Sequence, residues 1–69
     1  MENNIQEIKE QIQNVEVLTV DTLTHIRQGM RDIENNPSKK HSFIVSMGYI
    51  ETLQNALIDL KCNVRRQTK

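Results

Sequence analysis

The chain has no tryptophan, one cysteine, one proline, two glycines, and only Phe43 and Tyr49 as aromatic side chains in 69 residues. Each shortage removes a way of building or using a small fold. A single cysteine, Cys62, cannot close a disulfide within the chain, and its solitary use suits a reducing cytoplasm. Near a helix end it reads as a small apolar filler. His25 and His41 do not stand at ligand spacing with it, so no metal site and no other cofactor is expected. Net charge is missing as well. Nine basic residues against nine acidic ones leave no field to draw in nucleic acid or anionic lipid, and neither is expected as a partner. No signal peptide is legible and no apolar run is long enough to span a bilayer, which places the expected setting in the cytoplasm. With 36% apolar residues in so short a chain, a single core would contribute only a few kcal/mol net. Oligomerisation is the staple that remains.

What is present is helical periodicity. Ile5, Ile8, Ile12 and Val15 are echoed, with the same spacings, by Leu23, Ile26, Met30 and Ile33 eighteen residues later. Eighteen residues make five turns of a straight helix, so both copies fall on one side of it. The pattern predicts a first helix over about 2–34. At Val17-Leu18-Thr19-Val20 the apolar residues leave the stripe, so the helix either runs through a bundle and is apolar all round, or kinks near 17–20 with Asp21 capping a second piece. The continuous or gently kinked helix is the expectation. Asn35-Asn36-Pro37-Ser38 forms a turn over 35–38, with Asn36 or Ser38 able to cap the next helix. A second helix is predicted over about 39–65, with Phe43, Ile50, Leu53, Leu57, Leu60 and Val64 at heptad spacing as its seam, and a basic tail over 66–69.

These elements imply an all-α fold: one domain, 1–69, an antiparallel helical hairpin assembling into a symmetric homo-oligomer. Comparison of helix lengths at 1.5 Å per residue leaves Ile5 and Ile8 overhanging, since the second helix would reach back only to about Lys9. The first stripe copy, Ile5, Ile8, Ile12 and Val15, is therefore assigned to self-association together with Ile44, Met47 and Ile58. The second copy is assigned to the hairpin core. Glu2, Glu7, Glu10 and Glu16 at one end would meet Lys61, Arg65, Arg66 and Lys69 at the other.

The most specific polar feature is Pro37-Ser38-Lys39-Lys40-His41-Ser42. Lysines at a helix N-terminus oppose the macrodipole unless an anion visits, and a phosphate there would find free N–H groups, two ammonium groups and the Ser38 and Ser42 hydroxyls. The alternative is a solvated loop whose lysines pair with Asp32 or Glu34. Tyr49 or Phe43 could stack on a base beside such a phosphate, or serve in a core or interface. Arg27 and Arg31 could face the same loop, or pair with Asp32, Glu34 or Asp59. No catalytic residue is expected. Asp21 and His25 stand at i, i+4, but no nucleophile completes a triad and a two-helix hairpin has no deep pocket.

The run Pro37-Ser38-Lys39-Lys40-His41-Ser42-Phe43-Ile44-Val45-Ser46 resembles phage-encoded helical-hairpin cyclic-nucleotide sponges of the anti-CBASS type. Members often carry Pro-Ser, a basic residue, then Ser, an apolar residue and Ile-Thr opening the final helix; here Ser42, Phe43, Val45 and Ser46 take those places. Gly48, Tyr49 and Ile50 stand where Leu-Glu-Glu-Ala and Met-Trp are common in that family. The resemblance implies a non-enzymatic phage or mobile-element protein in the bacterial cytoplasm that sequesters a cyclic nucleotide messenger between subunits. Its ligand chemistry would fall on Lys39, Lys40, Ser42 and Ser46, and the ligand site as a whole is expected at Ser38, Lys39, Lys40, His41, Ser42, Ser46 and Tyr49. The rival expectation is a small helical adaptor or inhibitor whose exposed apolar face occupies a groove on a host protein.

Overall fold

The computed structural model describes residues 4–68. Within them lie two antiparallel α-helices, α1 over Ile5–Asn35 and α2 over His41–Gln67. Glu2 and Asn3, the expected first residues of the first helix, and Lys69 of the expected tail lie outside the described residues. Helix α1 runs unbroken through Val17 to Val20. The Thr19 and Thr24 hydroxyls donate to the carbonyls of Val15 and Val20 at 2.7 and 2.8 Å, so these β-branched residues are satisfied inside their own turns.

Asn36 ends α1, its N–H donating to the Asp32 carbonyl at 2.8 Å. Its side-chain oxygen accepts the Ser38 N–H at 3.1 Å, and its backbone carbonyl accepts the Lys39 N–H at 2.9 Å. Asn36 thus commits its acceptors to the connection. For that reason α2 begins at His41 and not at 39, and its N-cap, Lys40, has no side-chain cap from Asn36 or Ser38. At the other end α2 continues to Gln67 and absorbs most of the expected tail.

This later start and later stop shift the register, and the expected overhang disappears. Gln67 Nε2 donates to Asn4 Oδ1, and Asn63 Nδ2 donates to Gln11 Oε1 at 2.8 Å, so α2 reaches the first described residue of the chain. Among the described residues the contacts that join this end are amide hydrogen bonds, in place of the ion pairs suggested by the segregated charges.

The seam between the helices follows a seven-residue repeat. On α1 it comprises Gln11, Leu18, His25 and Asp32 with Ile8, Val15, Thr22 and Gly29; on α2, Ser42, Tyr49, Ala56 and Asn63 with Ser46, Leu53 and Leu60. Every one of these is buried or half-buried. The fully buried members are Thr22, Gly29, Ser46 and Asn63, and among the described residues no hydrophobic side chain is fully buried. Small and polar residues occupy the line of closest approach because two helices can draw together only where side chains are short. Of the set expected in the seam of the second helix, Leu53 and Leu60 lie inside and the Phe43 ring packs on Gly29 of α1, whereas Ile50 borders the seam half-buried and Leu57 and Val64 are exposed.

Gly29 marks the tightest point. A Cβ placed there would stand 2.6 Å from Phe43 Cδ1, whereas a Cβ on Gly48 would meet nothing within 4 Å. Gly48→Ala should therefore gain helix propensity, about 1 kcal/mol, and raise Tm by about 4–8 °C. Gly29→Ala adds an overpacking cost of roughly 1–3 kcal/mol and should lower Tm. Thermal unfolding followed by circular dichroism checks the pair; an equal rise at both positions would show that Phe43 does not lie against Gly29.

Candidate functional site

The hairpin has two unlike sides. In an antiparallel pair, rows displaced from the seam in the same rotational sense fall on the same side. On one side these rows are Ile12, Thr19, Ile26 and Ile33 from α1 and Phe43, Ile50, Leu57 and Val64 from α2. On the other side stand Asn14, Asp21 and Gln28 facing Val45, Thr52 and Asp59, with Val45 the apolar exception. The surface grooves show the same division: one of about 580 Å³ is walled by Ile26, Ile33, Phe43, Ile44, Met47 and Ile50, with Lys40 and Ser46 at its edge. A smaller one, about 340 Å³, is walled mainly by Gln11, Asn14, Thr52, Asn55 and Asp59.

The apolar stripe of α1 divides between seam and surface within its first copy, and the second copy does not lie in the seam as its repetition suggested. Ile8 and Val15, assigned to self-association, face α2 and are half-buried. Leu23 and Met30, assigned to the hairpin core, are 43% and 50% exposed. The cause is a mismatch of periods. A seam with a seven-residue repeat drifts about 20° per heptad against a straight helix, so a pattern repeating every eighteen residues rotates about 50° away from it between copies. The first copy therefore touches the seam and the second swings onto the apolar side. Ile5, Ile12, Ile44, Met47 and Ile58 are exposed.

At the turn end, where the ligand site is expected, Asp32 is bonded to side chains of both helices. Ser42 Oγ donates to Asp32 Oδ2 at 2.8 Å, and Gln28 Nε2 donates to Asp32 Oδ1 at 3.0 Å. The Ser42 and Gln28 bonds hold the Asp32 carboxyl below its ordinary pKa, with partial desolvation opposing them and the Lys39 charge assisting. A fixed carboxylate therefore already faces the positive end of α2. Ser46 is buried and its hydroxyl donates to the Phe43 carbonyl at 2.7 Å. Ser38, Lys39, Lys40 and His41 are exposed around the connection. Tyr49 lies in the seam, its ring stacked on His25 with centroids 4.0 Å apart and planes at 21°.

His25 Nδ1 donates to the backbone carbonyl of Asp21 at 2.8 Å, so the Asp21-His25 pairing is to main chain and not to the carboxylate. Cys62 is exposed and fills no core. Among the described residues no group of three or more His, Cys, Asp or Glu side chains could hold a metal ion, and no helix is long and apolar enough to cross a membrane. Asp32 is the polar residue whose organising role the sequence did not disclose; its ten-residue separation from Ser42 across the turn was the available signal. Comparison with protein-family models, curated proteins and solved structures finds no match to this chain.

The Asp32 linkage has a definite sign. A carboxyl lowered in the folded state contributes stability that is complete above its unfolded pKa and is lost as pH falls through the folded value. Ser42→Ala should raise the Asp32 pKa toward that of an ordinary aspartate and weaken the acid dependence of Tm below pH about 4. Carboxyl-carbon NMR titration checks this, and an unchanged Asp32 midpoint would show that the Ser42 bond is not made.

Proposed function

We propose that this chain is a non-enzymatic binding protein whose working surface is the apolar side of the hairpin, closed by protein. The single observation that carries the reading is an apolar side built from both helices beside a seam whose Ile8, Val15, Leu18, Leu53 and Leu60 are only half-buried, no hydrophobic side chain being fully buried among the described residues. Exposed apolar area on this scale is stabilised only when another surface removes it from water, at roughly 25 cal/mol per Å². The polar side, with its Asn, Gln, Thr and Asp residues, stays in solvent. Catalysis gains no support from groups already committed to structure: His25 to a carbonyl and Tyr49, Ser42 to Asp32, Ser46 to a carbonyl.

The thioethers report directly on this reading. Met30 and Met47 are 50% and 57% exposed in the single chain, so a partner on that side would shield both. Brief peroxide treatment of the cells that make the protein, and then mass spectrometry, should leave these two methionines oxidised several-fold more slowly than in the urea-unfolded chain. Equal rates, with helix content retained, would overturn the proposal.

A second reading keeps the nucleotide messenger. It is favoured by the exposed Lys39 and Lys40 at an α2 N-terminus that lacks a side-chain cap, and any anion there would compete with the Asp32 carboxylate. Calorimetric titration with cyclic dinucleotides and trinucleotides is expected to give heat that a Lys39→Glu, Lys40→Glu variant loses. No heat with the unaltered protein removes this reading and leaves the apolar face untouched.

A further inference from the structure

We propose that the apolar side is closed by a second copy of this chain, packed face to face as a twofold four-helix bundle with both connections at the same end. The inference rests on the reading of that side as a protein interface and names its occupant. Surface area supplies the first argument. A compact monomer of 8.1 kDa exposes about 4,500 Å² by the usual mass scaling, and this chain exposes 5575 Å². The excess, about 1,100 Å², matches and slightly exceeds the roughly 800 Å² that each partner contributes to a stable interface.

The second argument concerns what is always present when the chain folds. A seam whose apolar members, Ile8, Val15, Leu18, Leu53 and Leu60, are only half-buried supplies limited hydrophobic stabilisation, and covering the apolar side adds to what holds the hairpin together. A foreign partner would leave every unbound chain with that half-buried seam alone. A second copy is available wherever the first is made, and its two-helix apolar layer has the shape of the layer it must cover.

The position of charge along the outer rows decides the orientation. On α1 the row outside the groove reads Lys9, Glu16, Leu23 and Met30; on α2 it reads Lys40, Met47, Gln54 and Lys61. The apolar side is therefore widest in the half near the connection. With both connections at one end, α1 of each copy lies along α2 of the other, and Leu23 and Met30 meet Met47. With connections at opposite ends each helix lies along its own counterpart, which sets Leu23 on Glu16, Met30 on Lys9 and Met47 on Lys61. The first arrangement joins apolar to apolar and the second buries charge. The one repulsive contact of the first arrangement is between Lys9 of one copy and Lys61 of the other.

Sedimentation equilibrium of the purified full chain is expected to give twice the chain mass. In a Cys62→Ser background, spin labels on Ser38→Cys should lie within about two helix diameters, roughly 25 Å; opposite-ended packing would put them near the 57 Å length of the hairpin. Met47→Asp should weaken association at least tenfold. Lys9→Glu, which threatens no packing, should tighten it several-fold by converting the repulsive contact into an attractive one. A folded monomer from micromolar to millimolar concentration, a higher oligomer, a long label distance, or Lys9→Glu association that is unchanged or weaker would each overturn the proposal. A purified monomer whose Met30 and Met47 are still shielded in cells would remove the second copy and leave the reading of the face intact, whereas open methionines in both settings would remove both.

Discussion

The structure depends on the close approach of two helices along a line of short side chains. Thr22, Gly29, Ser46 and Asn63 are buried along that line, with the Phe43 ring seated on Gly29, and each polar side chain taken out of water there has a partner. The Thr22 hydroxyl donates to the Tyr49 carbonyl at 3.4 Å, Ser46 to the Phe43 carbonyl, and Asn63 to Gln11. Such bonds contribute only about 0.5–1.5 kcal/mol each. Their larger effect is on register, because sliding α2 along α1 would strand Asn63 and Gln11 without each other, and a buried unpaired amide costs roughly 1–3 kcal/mol. The Asp32 to Ser42 bond pins the same register at the opposite end.

Once that line is chosen, the distribution of bulk is set. Side chains too large for the crossing must flank it, and on one side both helices supply them: isoleucines from α1, and Phe43, Ile50, Leu57 and Val64 from α2. The other side receives amides, hydroxyls and carboxylates. A hairpin of this kind behaves as one amphipathic layer. Its specificity is internal and polar, and among the described residues its hydrophobic side chains are at most half-buried within the hairpin. The drift of the eighteen-residue apolar repeat against the seven-residue seam gives the layer a taper, broad near the connection where Leu23, Met30 and Met47 stand, and edged by Lys9, Glu16 and Lys61 toward the termini.

The connection has an electrostatic arrangement of its own. Asn36 turns the chain with backbone and side-chain acceptors, which leaves the start of α2 without a side-chain cap. Asp32, at the end of α1, instead ties the two helices together, accepting the Ser42 hydroxyl and the Gln28 amide on its two oxygens. Lys39 adds its charge to the setting of Asp32, and the solvent-facing positions of Lys39 and Lys40 suit both a solvated loop and competition by an external phosphate.

Much of this was legible in the residues themselves. Apolar spacing located two helices, Asn36-Pro37 located the turn, and the ratio of apolar surface to chain length showed that more would be displayed than one hairpin covers, in keeping with the exposure of Ile44, Met47 and Ile58. The rotation of each helix about its own axis was not legible. Periodicity reports which residues share a face, but the face that turns inward depends on which side chains are short enough to let two backbones approach and can satisfy one another's hydrogen bonds across the gap. That pairing is a property of both helices together. The sequence alone therefore determined that there is an apolar stripe, a turn and a surplus; only the tertiary structure decided that Gln11, Thr22, Gly29 and Asn63 would be inside, and that Leu23 and Met30 would be left exposed.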